Sequence, residues 1–210
     1  MIASADLKRF LASSGPSAEA RGTAVPSAGA DELRLRAQRL SLREQIERNH
    51  FLLERLNASS VRLVQSLEAG DAFEAVAEIV ANLIGSEELA IFHYCPATSG
   101  FSLEWSSGVD AETLQRMASG AGMIGRAVHQ TISQFQDRQP EDLLLPHEKN
   151  LTACIVLRSG QEAIGALAIF GLLPQKQRLE WADFELLKFL EVYGAVAIEY
   201  QRLQKKLVAL

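Results

Sequence analysis

The chain has 210 residues, of which 48% are hydrophobic and 22% are charged, an ordinary composition for a protein that buries a core. This length favours one domain with extensions over two full domains. No run approaches the roughly 18 consecutive apolar residues of a membrane-spanning helix, and the N-terminus lacks the apolar stretch of a signal peptide. The sequence therefore predicts a cytoplasmic protein that does not bind a membrane.

The net charge of −5 is distributed unevenly along the chain. Residues 31–68 hold seven arginines and six acidic residues, whereas residues 69–210 hold eleven basic and eighteen acidic residues. A globular part this acidic argues against nucleic acid as its ligand. The one basic cluster is typical of the solvated flank of a coiled coil. It consists of Arg34, Arg36, Arg39 and Arg43.

Residues 1–30 differ from the rest of the chain in composition. Residues 12–30 are rich in Ala, Ser, Gly and Pro, and they bury too little surface to offset the entropy of ordering them, which predicts a flexible linker. Residues 1–11 carry apolar side chains at helical spacing around Lys8 and Arg9. This pattern fits either a frayed terminus or a peptide that docks on a protein partner in trans.

Residues 31–68 predict a long helix, with Asp31 as its N-cap and no Gly or Pro before Gly70. Positions spaced alternately three and four apart are Leu or Ile in seven cases of ten, which indicates a coiled-coil seam and a homodimer. Asn49 within this seam favours a fixed register and a parallel pair. The same stripe also fits packing on the chain's own domain. The seam positions are Leu35, Arg39, Leu42, Ile46, Asn49, Leu53, Leu56, Ser60, Leu63 and Leu67.

Residues 69–210 predict a domain of mixed secondary structure. An amphipathic helix capped by Asp71 spans residues 71–84, and two hairpins follow at residues 89–105 and 151–170. Between the hairpins lie a polar helix, a glycine-rich turn into a second helix, and a short strand near residue 134. The order predicts the α+β class: an antiparallel sheet of five or six strands with helices packed on it.

A long amphipathic helix from about residue 181 to 207 closes the chain. It has its own three–four spaced stripe, although Gln204 interrupts it. This second stripe predicts that the closing helix joins the first long helix in a dimeric bundle. Its members are Leu186, Leu190, Tyr193, Ala197, Tyr200 and Leu207.

Three stretches resemble the GAF family of sensory domains, over about residues 45–205. Residues 120–128, Gly-Ala-Gly-Met-Ile-Gly-Arg-Ala-Val, are similar to the family's glycine-rich turn into the helix over the ligand pocket. Residues 151–170 are similar to its paired strands, and residues 181–187 look like the start of its closing helix. The resemblance implies a domain that binds a small molecule between the sheet and the middle helices. Cyclic nucleotides, oxo acids, haem and bilins are the ligand classes it implies.

The glycines of this turn also match a dinucleotide-binding fingerprint, which requires a strand immediately before the first glycine and a parallel βαβ unit after it. Residues 111–117, ahead of Gly120, are instead polar and helical in pattern. The sequence therefore argues against a nucleotide site of that type.

A pocket in this domain is predicted to have apolar walls and a few polar anchors. The same side chains also fit a domain whose core they fill. The chain lacks the N-K-F-D-E set of cyclic-nucleotide binders and has no cysteine in residues 138–150 to hold a bilin, so the ligand and any cofactor stay open. The predicted walls are Phe92, Trp105, Ile124 and Phe135, and the predicted anchors are Arg126, His147 and His93.

One branch of the family consists of methionine sulfoxide reductases, which need reactive cysteines on exposed loops. Cys95 and Cys154 stand in apolar runs without an adjacent base, and the four histidines lack metal-ligand spacing. The sequence therefore predicts a non-catalytic signalling protein that signals through a helical dimer. The alternative is an adaptor whose domain has no ligand and only mediates contacts between proteins.

Overall fold

The computed structural model describes residues 28–95, 100–115, 121–136 and 144–208. The predicted docking peptide at residues 1–11 and most of the predicted linker at residues 12–30 lie outside these ranges. The chain divides into two compact units, residues 1–46 and residues 47–210. No helix among the described residues is both long enough and apolar enough to cross a membrane.

The first helix, α1, spans Ala28–Ala69. It begins three residues before the predicted N-cap, so Asp31 lies within the helix. In the unit that starts at residue 47, Leu63 of α1 is buried in the domain core, and Leu56 and Leu67 pack against that core. The C-terminal part of the predicted seam therefore packs on the chain's own domain, whereas Leu53 is exposed.

A five-stranded antiparallel sheet forms the centre of the domain, in the order β2-β1-β5-β4-β3. The two predicted hairpins pair β1 with β2 and β4 with β5, and β3 is a two-residue edge strand. The strands β1, β4 and β5 contain continuous apolar runs, as expected of strands covered on both faces, whereas the alternating strand β2 is partly exposed. The strands are β1 Leu89–Cys95, β2 Gly100–Ser107, β3 Gln134–Phe135, β4 Ala153–Ser159 and β5 Glu162–Ile169.

The described residues between the hairpins include two short α-helices and a 3-10 turn at Pro146–Glu148. Helix α3 spans Ala111–Leu114 and helix α4 spans Gly122–Gln130. The side chains of α4 pack on one face of the sheet, which we call the α4 face, against small residues of the central strands such as Ala166 and Ala168. The α4 face thus holds the segment in which the GAF resemblance implies a ligand pocket.

The opposite face of the sheet, which we call the helical face, is covered by α1, α2 and the C-terminal helix. Helix α2 spans Ala72–Ile79 and continues as a π turn at Val80–Ile84. Its predicted cap, Asp71, makes no capping hydrogen bond and instead accepts two from the guanidinium of Arg62, at 2.9 and 3.3 Å. The Ala72 N–H is satisfied by the side chain of Gln201, at 2.8 Å.

The C-terminal helix runs over Trp181–Val208 in three parts: α5 at Trp181–Phe189, a π turn at Leu190–Gly194, and α6 at Ala195–Val208. Three of its buried residues, Leu190 and Gly194 of the π turn and Ile198 beyond it, are each four residues apart. An α-helix repeats every 3.6 residues, so a spacing of four would rotate these residues away from the sheet. The π turn accommodates one extra residue and keeps the inward face in register.

Candidate interaction surface

The predicted ligand position on the α4 face is filled by side chains of the protein. Phe92 of β1 and Ile124 of α4 are fully buried in one cluster, together with Met123 and Leu151. Phe101 meets the ring of Phe92 edge-on, with ring centroids 6.3 Å apart. Two of the predicted pocket walls, Phe92 and Ile124, therefore belong to one packed core.

The start of α4 is occupied by the buried carboxylate of Glu148. Its oxygens accept hydrogen bonds from the N–H groups of Met123 at 2.8 Å, Ile124 at 2.9 Å and Leu145 at 3.0 Å. Gly122 has φ +65°, and a Cβ at this position would overlap the carboxylate. A helix N-terminus attracts anions through its free N–H groups, and here the chain supplies the anion itself.

Trp105 and Phe135 lie on the other side of the sheet from Phe92 and Ile124. Both pack against the core of the helical face, and the ring of Phe135 meets Phe184 of α5 at 5.0 Å. The structure therefore does not bring the four predicted walls together. The reason is strand geometry: successive side chains point to opposite faces, and a β-bulge between Ile91 and Phe92 shifts the pairing with β2, so Trp105 lies beside Ile91.

The predicted polar anchors are also separated. Arg126 lies partly buried on α4, and His93 lies partly buried on the helical face near Arg202. His147 lines a cavity of about 430 Å³ beside α3, and its Nε2 atom is buried without a hydrogen-bond partner among the described residues. Of the anchors, His147 alone borders this cavity, whose walls also include Thr113 and Lys149.

The two cysteines are free thiols in different surroundings. Cys154 is buried in β4, and its pKa is raised by burial and further by the negative charge of Glu148. A thiol held in its neutral form is a poor nucleophile. Cys95, at the end of β1, is partly exposed rather than buried as the sequence suggests. The described residues bring together no group of three His, Cys, Asp or Glu side chains that would hold a metal ion.

The most prominent unexplained feature of the domain is a row of exposed apolar side chains on the C-terminal helix. Its members are separated by three, four, three and four residues, the spacing of a coiled-coil seam. Tyr193 is 59% exposed and Leu207 is 72% exposed. We call this row the outward stripe; it comprises Tyr193, Val196, Tyr200, Leu203 and Leu207.

The C-terminal helix is fixed in rotation by buried polar contacts on its inner side. The guanidinium of Arg202 bonds Glu104 of β2 at 2.8 Å, and Gln201 bonds the backbone of Ala72 and Gly70. At the other end, Asp183 is buried and accepts a hydrogen bond from Arg55 of α1 at 2.9 Å. Because these contacts hold one side of the helix on the domain, the outward stripe faces solvent in a defined orientation.

The register of this stripe differs from the predicted one. Leu186, Leu190 and Ala197, predicted as members, are buried in the helical-face core. The predicted row is interrupted by Gln204, whereas the row that begins at Tyr193 and passes through Val196 and Leu203 consists of aliphatic and aromatic residues alone. That uninterrupted pattern is the sequence signal that could have identified the exposed face.

Helix α1 carries exposed apolar residues as well. Within residues 28–46, the predicted seam residues Leu35, Leu42 and Ile46 are all exposed. In the other unit, Val61 and Val64 of α1 are exposed although neither belongs to the predicted seam. Exposed apolar rows on helices are typical of surfaces that bind another helix.

Comparison with known proteins bears on the fold. No family model and no curated protein matches the chain. Among solved structures, the GAF domain of a phosphoenolpyruvate-protein phosphotransferase from Coxiella burnetii aligns with a TM-score of 0.57 at 15% identity, over 74% of this chain and 96% of that one. A segment of a methyl-accepting chemotaxis protein aligns with a TM-score of 0.53 at 18% identity, over 70% of this chain and 98% of that one.

An enzyme of the same fold is also similar to this chain. Free methionine-R-sulfoxide reductase from Neisseria meningitidis aligns with a TM-score of 0.52 at 16% identity, over 71% of this chain and 93% of that one. Identities this low establish shared architecture, and the sheet order and helix placement described above agree with it. The chain therefore has the GAF-like α+β fold that its sequence resemblance implies.

Proposed function

We propose that this protein is a non-catalytic regulatory protein that works as a homodimer through its terminal helices and passes its state to a protein partner. The observation that carries the proposal is the outward stripe. Five large apolar side chains at coiled-coil spacing face solvent on a helix that the domain holds firmly. Pairing with the same stripe of a second copy removes this apolar surface from water, which is the dominant favourable term in protein association.

The filled α4 face supports regulation by protein contacts. Phe92, Met123 and Ile124 are buried where the resemblance implies a ligand, and Glu148 already occupies the start of α4. A small molecule between the sheet and α4 would have to displace these groups before it could bind there. The methyl-accepting chemotaxis protein among the similar structures is, by its name, a signalling protein, which supports a regulatory role for this chain.

The cysteines support the non-catalytic part of the proposal. A reductase of this fold needs a thiolate that can reach its substrate, whereas the Cys154 thiol is buried and its pKa is raised. In a Cys95→Ser variant, we expect Cys154 to react with a thiol reagent only after unfolding. Rapid reaction in the native state, or reduction of free methionine sulfoxide by the purified protein, would contradict the proposal.

The proposed mechanism is a change in helix packing. Arg202 and Asp183 connect the C-terminal helix to β2 and to α1 respectively, so a displacement of the sheet moves the helix that carries the outward stripe. Packed helix interfaces have discrete arrangements, and a partner that binds one of them better shifts the population toward it.

The test is the molar mass in solution, measured by light scattering. We expect the wild-type protein to be a dimer and the double variant Val196→Glu, Leu203→Glu to be a monomer with an intact domain. Lys206→Glu is the matched control, because it changes the net charge by the same amount at an exposed position outside the stripe. A monomeric wild-type protein, or a dimer that survives the double substitution, would refute the proposal.

A second candidate function is small-molecule sensing, favoured by the cavity of about 430 Å³ beside His147. The buried, unpartnered Nε2 atom of His147 is a group that a ligand would satisfy. Native mass spectrometry of gently purified protein distinguishes the two candidate functions. A small-molecule sensor retains or binds a compound, whereas a protein regulated only by protein contacts does not. A bound molecule lost in a His147→Ala variant would favour sensing.

A further inference from the structure

A cavity of about 720 Å³ lies where the β3 edge of the sheet meets the segment between β5 and α5. Gln136 and Thr152, at the ends of β3 and β4, border it on one side, and residues of the segment 172–184 border it on the other. We call it the edge cavity. Leu179, one of its lining residues, packs against the core of the helical face, so the edge cavity is separate from the cavity beside His147. Its volume is in the range of roughly 300–1,000 Å³ that is typical of sites for small organic molecules.

The edge cavity is positively charged in a domain that is acidic. Lys176 and Arg178 line it, together with one acidic residue, Glu180. Behind the lining, the buried carboxylate of Asp183 pairs with the ammonium of Lys176 at 2.7 Å and with the guanidinium of Arg55 at 2.9 Å. These five groups are three cations and two anions, which leaves one positive charge in excess. A concave surface with an excess of one charge attracts ligands of the opposite sign.

The segment that carries Lys176 is held in place by backbone contacts. The Leu173 N–H donates to the Gly85 carbonyl at 2.8 Å, and the Lys176 N–H donates to the Leu173 carbonyl at 2.8 Å. The stem of Lys176 lies over Gly85, where an added Cβ would come within 3.3 Å of the lysine Cδ atom. The ammonium at the edge cavity therefore has little freedom left to lose when a ligand binds, which favours affinity.

An aromatic side chain lies at the edge cavity beside these cations. Trp181, the first residue of α5, lines the cavity and is 51% exposed. Phe184 lines it as well and is fixed by its contact with the ring of Phe135, 5.0 Å away. An exposed indole offers a flat apolar face on which another ring can stack. The edge cavity thus combines a surface for a ring with two cations for an anionic group.

We infer that the edge cavity binds a small organic anion that carries a flat ring. Its carboxylate or phosphate pairs with Lys176 and Arg178, and its ring packs against Trp181. Arg178 is available for this contact, because it is exposed and makes no ion pair with another described residue. The inference goes beyond the proposed function and does not depend on the dimer, because one chain supplies the whole lining.

The test is isothermal titration calorimetry of the full chain with two matched pairs of compounds. Adenosine monophosphate is compared with adenosine, and indoleacetate with indoleacetamide, at constant ionic strength. We expect each anion to have a Kd about tenfold lower than that of its uncharged analogue, and lower than that of inorganic phosphate or acetate. Arg178→Gln should remove most of this preference, and Trp181→Ala should weaken binding of both ring anions. Arg43→Gln, which removes the same charge at an exposed position of α1, should change neither.

Several results would overturn the inference. These are equal affinities for the charged and uncharged analogues, no binding of either anion at millimolar concentration, and inorganic phosphate or acetate that binds as tightly as the ring anions. Binding that Arg178→Gln leaves unchanged would overturn it too, and loss in a His147→Ala variant would then place the compound in the cavity beside α3. Circular dichroism checks that the Arg178→Gln and Trp181→Ala variants are folded.

Light scattering on the same samples separates this inference from the proposed function. A monomer that binds the two anions with the expected preference refutes the proposed dimer and supports the edge cavity as a binding site. A dimer that lacks this preference overturns the inference alone.

Discussion

At the start of α4, Glu148 takes the part that a Ser or Asp N-cap takes in many helices, from a position more than twenty residues further along the chain. Its carboxylate accepts three backbone hydrogen bonds while fully buried. The arrangement holds the segment before β4 against the glycine-rich turn. It also places a charge where the resemblance to ligand-binding domains implies a bound molecule.

Replacement of Glu148 tests this account. Glu148→Ala leaves three N–H groups without an acceptor, and a buried donor without a partner costs about 1–3 kcal/mol. We expect the free energy of unfolding, measured with urea, to fall by about 3 kcal/mol or more. Glu68→Gln, at an exposed position of α1, is the control and should stay within about 0.5 kcal/mol of wild type. A similar loss in both variants would show that the Glu148 contacts are not specifically stabilising.

His93, on the helical face, should make the stability of the folded protein depend on pH. Burial lowers the pKa of its imidazole below the ordinary value of 6.5, and the positive charge of Arg202 lowers it further, against the opposing influence of Glu104 and Glu199. The unfolded chain therefore binds a proton at a pH where the folded protein does not. Stability should be greatest above about pH 6.5 and fall as the pH drops below it toward the pKa of the folded state.

The corresponding measurement is the melting temperature between pH 7.5 and pH 5.5. His93→Gln cannot take up a proton, so we expect its melting temperature to fall less than that of wild type over this interval. Equal falls in the two proteins would mean that His93 does not contribute to the pH dependence.

At the scale of secondary-structure elements, the sequence predicts well where helices and strands occur. It predicts poorly which of their faces meet. The period-two alternation of residues 101–105 and the three–four spacing of residues 73–83 depend on local geometry alone, so β2 and α2 are found as expected. The predicted pocket, in contrast, required its four wall residues to lie on the same face of the sheet. The bulge beside Phe92 and the order of the strands decide that, and neither leaves a signal in a single sequence.

The N-cap of α2 is a second feature that the local sequence does not predict correctly. Asp71 has the residue type and position of an N-cap, yet the side chain that accepts from the Ala72 N–H comes from Gln201, far away in sequence. Arg62 binds the Asp71 carboxylate instead, which removes it from the capping role. Long-range contacts of this kind override a local preference whose worth is only about 1 kcal/mol.

Gln201 should accordingly contribute more to the free energy of unfolding than its residue type suggests. Gln201→Ala removes the partners of two backbone groups, the Ala72 N–H and the Gly70 carbonyl, which are partly or fully buried. We expect a loss of about 2 kcal/mol in the free energy of unfolding. Gln204→Ala, one turn later on the same helix, should have little effect in the same urea titration. If both variants unfold alike, the capping contact is not formed in solution.

At the scale of the whole molecule, the three–four repeat of α1 includes both buried and exposed leucines. Leu63 of the repeat is buried in the domain core, with Leu56 and Leu67 packed against that core, whereas Leu35 and Leu42 are more than half exposed. Leucines at the same spacing look identical in the sequence whether they meet their own sheet or another chain. The pattern thus predicts that the leucines are buried, but it does not indicate whether the chain's own domain or a second molecule covers them.

Asn49 offers a test of the dimer that is independent of the C-terminal helix. Asn49 is exposed, and in the proposed seam it would be buried against its copy at a cost in stability. Asn49→Leu should strengthen association, by about 1.5–3 kcal/mol for each leucine that becomes buried. It should also admit oligomers other than the dimer, as seen by light scattering over a range of concentrations. Unchanged association would place Asn49 outside any interface.

The π turn at Leu190–Gly194 makes the C-terminal helix tolerant of one particular shortening. The helix holds one residue more there than an α-helix would, and the inward positions on either side are separated by four. Loss of a single residue such as Val192 would convert the turn to ordinary α-helix and leave Leu186, Leu190 and Ile198 facing the sheet. A deletion of one residue elsewhere in α5 or α6 would rotate everything beyond it by about 100°. Length variation among natural versions of this helix should therefore concentrate at that turn.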